Sequence, residues 1–230
     1  MGMQFISTDD MRVSSLFTPG CTLAWDFLSK LEFPWEALPL ISSYIGKIAV
    51  GLGSSEYEER EGNIWIHKTA NIAPSAHIGE NVIIGPGADI RHCAYIRKDA
   101  IIGSGVVVGN STELKNVILF DRVQVPHYNY VGDSILGYKS HFGAGVITSN
   151  VKSDSSPVSV KCGDDRIATG MKKFGAILGD NVEIGCNAVL NPGTVIGANA
   201  TVYPLSMVRG FIPPNSIYKK QGDIVSKRPL

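Results

Sequence analysis

The sequence has no C-x-x-C pair: its four cysteines, Cys21, Cys93, Cys162 and Cys186, stand far apart, which disfavours zinc ribbons and thioredoxin-like redox chemistry. Charge of one sign is missing too. Twenty-one Lys and Arg balance 21 Asp and Glu, so no global field favours nucleic acid or a membrane surface, and neither partner is expected. Long apolar runs are absent; the most apolar region, Trp35 to Leu52, is interrupted by Glu36, Ser42, Ser43 and Lys47 and makes a poor membrane span. The polar opening from Met1 to Asp10 does not read as a signal peptide, and no secretory leader is expected. A reducing, cytoplasmic setting is the expectation. Among the five histidines, no pair has His-x4-His spacing and no two stand 18 apart, so no metal site is expected. What is present is 44% hydrophobic residues against 18% charged, enough for a substantial core.

Those apolar residues keep time. Stepping by six from Ile66 gives Ile72, Ile78, Ile84, Ile90, Ile96, Ile102, Val108, Leu114 and Phe120, ten large apolar positions in one phase. Small or β-branched residues fall four places later, as at Ala70, Ala76, Val82, Ala88, Ala94 and Ala100. An α-helix repeats every 3.6 residues and cannot hold a period of six on one face. Short strands joined by corners can, and the pattern is that of a hexapeptide β-helix. Three hexads make a triangular coil of 18 residues, and coils stack at about 4.8 Å. A second run passes through Leu136, Phe142, Leu178, Ile184, Leu190, Ile196, Val202 and Val208.

The expected architecture is therefore mainly β, with a helical region over 1–62, a β-helix over 63–212 and a tail over 213–230. In the first region, Leu, Trp and Phe recur at helical spacing, punctuated by Pro34 and Pro39, and short helices there are expected to cap or flank the coils. The rhythm breaks twice. Phe120 to Leu136 spans 16 residues, placing a slip on "VQVPHYNYVGDS" (123–134). The second break, 149–173, alternates around Gly163, Asp164 and Asp165 and reads as an extruded loop or hairpin.

An 18-residue coil turns spacing into geometry. Arg97 and Lys115 are 18 apart and should stack as a cation pair suited to a phosphate, or as a solvated surface pair. Glu113, two residues before Lys115, is placed to neutralise it or to hold an amine. His127 stands among Tyr128, Tyr130 and Asp133, where a lifted imidazole can serve as a general base, the alternative being a histidine packed at a coil defect.

The run "GNSTELKNVILFDRVQVPHYNYVGDSILGYKSHFGAGVITSN" (109–150), continued through "KKFGAILGDNVEIGCNAVLNPGTVIGANATVYPLSMV", resembles the acetyltransferase domain of bifunctional bacterial enzymes that make UDP-N-acetylglucosamine. It is closer still to the acetyltransferase domain of archaeal sugar-1-phosphate nucleotidylyltransferases. The resemblance covers about 65–210 and implies a left-handed β-helix, a homotrimer with sites between subunits, and acetyl-CoA as acyl donor. It implies His127 as the base that deprotonates the 2-amino group of a hexosamine 1-phosphate. It also implies substrate contacts from Arg97, Glu113, Lys115, Tyr130 and Asn150, with His141 standing where the bacterial enzymes carry Asn. Gly143 and Ala144 match the backbone near the thioester oxygen, and Cys186 a coil position beside coenzyme A. The first 50 residues hold only Gly2, Gly20 and Gly46, without a Gly-rich nucleotide loop, so no nucleotidyltransferase activity is expected of these 230 residues.

The resulting expectation is an acyl-CoA-dependent N-acyltransferase acting on an amino sugar 1-phosphate or nucleotide sugar, with O-acyl transfer differing only in the acceptor group. The competing reading is a non-catalytic sugar-nucleotide-binding protein or scaffold that partners a separate nucleotidyltransferase.

Overall fold

The computed structural model describes residues 7–227. Its body is a solenoid of short parallel strands on three faces, the hexapeptide-repeat β-helix of left-handed type. Long strands, His77–Ile84, Tyr95–Ile102, Glu113–Leu119 and Tyr130–Leu136, bend around one corner and so contribute to two faces each. The third face is the ladder that includes Asn71–Ile72, Asp89–Ile90, Val107–Asn110, Gln124–His127, His141–Phe142, Glu183–Ile184 and Thr201–Val202. At the bend, Asn81, Asp99, Asn116 and Asp133 have φ of 59°, 53°, 55° and 48°, a left-handed conformation that Asn and Asp tolerate better than most residues. Their side chains also bond between coils, Asn63 to Asn81 and Asn81 to Asp99, each at 2.6 Å.

Register follows the 18-residue rule in the first coils, with Ile78 opposite Ile96 and Ile96 opposite Leu114. Then two coils are one residue short: Lys98 pairs with Lys115 and Lys115 with Gly132, 17 apart each time. The lost residues lie between Leu114 and Leu119, and between Val131 and Leu136, each a step of five. Between them the step of six holds, through Leu119, Val125 and Val131, all wholly buried. The expected slip at 123–134 is thus split: one lost residue lies upstream of the stretch, the other overlaps its end at Val131–Leu136, and His127 stands on a regular strand between them. Phe120 misled the count because it too is wholly buried, but on the outside of the coil against Phe17, with ring centroids 4.6 Å apart.

That outer burial has a sequence basis. Ile83, Ile101, Ile118, Ile135, Ile177 and Val195 stack in register, point away from the coil axis and are wholly buried. Each such side chain contributes about 1.5–3 kcal/mol when covered. Their principal cover is the N-terminal segment: short helical turns at Val13–Leu16, Trp25–Leu28 and Pro34–Leu40, then Ile41–Ala49, which packs on Tyr95–Ile102 and His77–Ile84. Trp35 meets Phe174 at 6.0 Å. The N–H of Asp121 donates to the Cys21 carbonyl at 2.9 Å and that of Asp180 to the Leu16 carbonyl at 3.0 Å. The segment therefore lies along a side of the stack and does not cap its end; solenoid side and helices share one core.

Antiparallel strands fold back at either end, Tyr57–Arg60 on Ile64–His67 and Asp223–Ser226 on Ser216–Lys220, which keeps edge strands short. Between Asn150 and Phe174 the chain leaves the coil, forms the antiparallel hairpin Ser159–Cys162/Asp165–Ala168, and returns so that Ile177 pairs with Ile135. Among the described residues no helix is long and apolar enough to cross a membrane.

Candidate functional site

Two groups of polar residues meet near one corner of the middle coils. The first is a closed polar network. Arg97 is the residue skipped where the register shifts, so it bulges instead of standing over Lys115. Its Nη1 donates to Glu113 Oε1 at 2.9 Å. Lys115 Nζ donates to both oxygens of Asp133, at 2.9 and 3.1 Å. Asp133 also accepts from Asn116 Nδ2 at 2.9 Å and from Asn150 Nδ2. The expected Arg97–Lys115 stack is therefore corrected: the register pairs Lys98 with Lys115, and each of the two cations has its own carboxylate. With 3% exposure for Asp133, its four contacts satisfy most of the carboxylate's acceptor capacity, as a buried charge requires.

Tyr130 extends this network. Its hydroxyl accepts from Asn150 Nδ2 at 3.3 Å, and its ring lies over Gly132, where an added Cβ would come 2.5 Å from that hydroxyl. Burial, then the carboxylates of Asp133 and Glu113, push its phenol pKa up. The phenol stays protonated and can donate to a ligand oxygen.

The second group is the turn from the third face to the first. His127 ends the strand Gln124–His127, opposite Asn110. Tyr128 turns the corner at φ 51°, Asn129 is buried, and Tyr130 begins the next strand. Asn129 holds the turn: its Oδ1 accepts the His127 N–H at 3.1 Å while its Nδ2 donates to the Gly143 carbonyl at 2.9 Å. The Gly145 N–H donates to the His127 carbonyl at 3.0 Å. His127 is thus fixed one coil from Gly143–Gly145, and its exposed ring makes no hydrogen bond among the described residues. The Ala144 N–H takes no part in the backbone pairing around it. Cys186 follows one coil later, its backbone N 2.6 Å from where a Cβ on Gly143 would sit, so Gly143 permits the close approach of these two coils.

The structure accordingly brings Arg97, Glu113, Lys115, Tyr130 and Asn150 together, and His127, Gly143, Ala144 and Cys186 at the adjoining corner. His141 stands on the third face opposite Gln124, its Nδ1 2.8 Å from Glu183 Oε2. Sequence reasoning named Asp133 as a carboxylate near His127; its oxygens are taken by Lys115, Asn116 and Asn150. Asn116 and Asn129 were not singled out. For Asn116 a signal was there, since it lies 17 residues from Asp133 in the next coil, but only a 17-residue coil makes that spacing meaningful; the bonds of Asn129 to His127 and Gly143 span 2 and 14 residues, neither a coil length. Among the described residues no three His, Cys, Asp or Glu side chains converge on a point that could hold a metal ion.

Comparison with known proteins finds relatives of the repeat region. The family pattern described as GMPPB C-terminal domain matches residues 86–171, and that described as Bacterial transferase hexapeptide (six repeats) matches 175–210. A bifunctional protein GlmU of Methanococcus maripaludis is 35% identical over 206 residues, 88% of this chain and 50% of that protein. A bifunctional sugar-1-phosphate nucleotidylyltransferase/acetyltransferase of Sulfurisphaera tokodaii is 35% identical over 112 residues, 49% of this chain and 28% of that protein. The chain spans about half the length, or less, of these relatives. Among solved structures, PerB from Caulobacter crescentus, in complex with CoA and GDP-perosamine, is 22% identical with a TM-score of 0.29, covering 67% of this chain and 52% of that one. The repeats, their register and both family patterns make this a hexapeptide-repeat chain, similar to a part of the bifunctional nucleotidylyltransferase/acetyltransferase proteins.

Proposed function

We propose that the chain transfers an acyl group, in the first instance acetyl, from acetyl-CoA to the amine of a phosphorylated or nucleotide-linked amino sugar, in the cytoplasm and as a homotrimer. One observation carries the reading: the free ring of His127 is fixed one coil from the Gly143–Gly145 corner and three residues from Tyr130. The acetyltransferase half of the Sulfurisphaera relative's name supports the donor class.

The chemistry then follows from the residues. A sugar ammonium is not nucleophilic until it loses a proton, and an imidazole takes that proton near neutral pH. The amine attacks the thioester carbonyl of acetyl-CoA, the C–N bond forms, the C–S bond breaks, and the thiolate takes up a proton. The Ala144 N–H is the donor for oxygen charge developing at the carbonyl. Tyr130 and Asn150 orient the acceptor, and Glu113 with Arg97 edges its pocket. The test is acetyl-CoA turnover with a panel of amino sugar phosphates and nucleotide amino sugars, read as free thiol. His127→Ala should lower kcat by about 10²–10⁴ with acceptor binding kept. Undiminished turnover by that variant on every accepted sugar would overturn the assignment.

A further inference from the structure

The expected phosphate clamp does not have free charge: Arg97 is bonded to Glu113 and Lys115 to Asp133. Uncompensated positive charge lies elsewhere. A cleft of about 380 Å³ opens between the extruded hairpin and the coil corner at Asn191, and its lining includes Lys152, Lys161, Arg166 and Arg209 against one carboxylate, Asp154. Lys152 lies 3.9 Å from Asp154. Among the described residues no carboxylate lies within ion-pair distance of Lys161, Arg166 or Arg209.

The hairpin sets two of these cations against each other. Lys161 and Arg166 are direct cross-strand partners, and like charges so placed are destabilising unless something neutralises them. The hairpin is not free to splay: an added Cβ on Gly210 would lie 2.8 Å from the Lys161 carbonyl and 3.3 Å from its Cβ, so strand Ser159–Cys162 rests on the corner beside Arg209. Two guanidinium groups can take forked contacts from phosphate oxygens, and lysines add point charge. The cleft's position names the ligand further. Ser149 and Val151 line it, and they flank Asn150, whose amide bonds Tyr130 and Asp133. It therefore opens at the acceptor end of the network, at the opposite end of the strand Ile147–Thr148 from the Ala144 corner.

We propose that this cleft binds a diphosphate ester, and that the diphosphate belongs to the sugar acceptor, which makes a nucleotide-linked amino sugar the substrate in preference to a sugar 1-phosphate. The assignment to an acceptor rests on the acyl-transfer reading; the anion site does not. The test uses the full chain and the variant Lys161→Gln/Arg166→Gln. Calorimetry with inorganic pyrophosphate should show binding to the wild type, weakened about tenfold or more in the variant, as loss of charged hydrogen bonds predicts. Thermal unfolding of the variant should stay level or rise, because a like-charge pair is removed. In turnover, the variant's KM for a nucleotide-linked amino sugar should rise about tenfold while its KM for acetyl-CoA holds. Equal pyrophosphate affinity in both proteins, or none in the wild type, overturns the site. A raised KM for acetyl-CoA with the acceptor's unchanged overturns the assignment to the acceptor, since CoA carries a diphosphate of its own. Pyrophosphate binding without any acetyl transfer sinks the acyl-transfer reading and leaves the anion site standing.

Discussion

At the scale of single residues, Asp133 does more than its neighbours in sequence suggest. It turns a coil corner at φ 48°, carries a side chain only 4% exposed, and holds Lys115, whose side chain is 16% exposed. Asp133→Asn should cost about 3–5 kcal/mol, because it leaves a largely buried ammonium without a counter-charge. Urea unfolding measures this. The double variant Lys115→Met/Asp133→Asn should recover much of the loss, since no uncompensated charge remains and Asn tolerates the left-handed corner. Coil spacing made Arg97 and Lys115 legible as neighbours, because a fixed coil length converts spacing into adjacency, and the family resemblance added Tyr130. It did not reveal that a one-residue bulge at Arg97 breaks the expected stack, because a single skipped residue leaves the hexads on both sides intact.

At the scale of elements, the N-terminal segment is a strap, and one buried carboxylate fastens it. Asp180 accepts the Thr18 N–H at 2.6 Å and the Tyr138 N–H at 2.8 Å, one on each oxygen. Burial raises its carboxyl above the ordinary range despite these donors, and burial raises Asp121 likewise. A folded pKa above the unfolded one means stability that is fully present below the ordinary carboxylate pKa and lost as pH rises through the raised value. Asp180→Asn should therefore destabilise by about 1–3 kcal/mol through one unmatched donor. That deficit should be largest at acid pH and shrink as pH rises through the raised range. Denaturant unfolding of both proteins across pH checks it; a deficit growing with pH would reverse the sign assigned to burial. The strap's helical spacing was readable, but its place was not. The outward column from Ile83 to Val195 decides that, and hexad counting treats those positions as ordinary strand residues.

For the whole molecule, the strap and hairpin cover one face of the triangular stack, leaving the other two for contacts between copies. On the first face Ile147, Val189 and Met207 stack in register and are exposed, with Leu205 at 80% exposure beside them. Monomers seldom leave such a stripe open. The proposed homotrimer should bury it, and Met207→Glu should shift the protein towards monomer in sedimentation velocity, with transfer activity falling in step if the site lies between subunits. Full activity in a monomeric variant would place the whole site within one chain.

By itself the sequence determined the mainly β, six-residue architecture, because a period of six with inward apolar residues fits strands and corners and no helix. It also set Arg97 within one coil of Lys115, since coil length is a local property of the chain, while His127, Tyr130 and Asn150 were grouped by the family resemblance. Only the tertiary structure decided which charges remain free. Whether Arg97 and Lys115 face a ligand or a carboxylate depends on one-residue shifts between coils, and whether Lys161, Arg166 and Arg209 share a cleft depends on where the hairpin lands. Those contacts join residues far apart in the chain, and no local pattern records them.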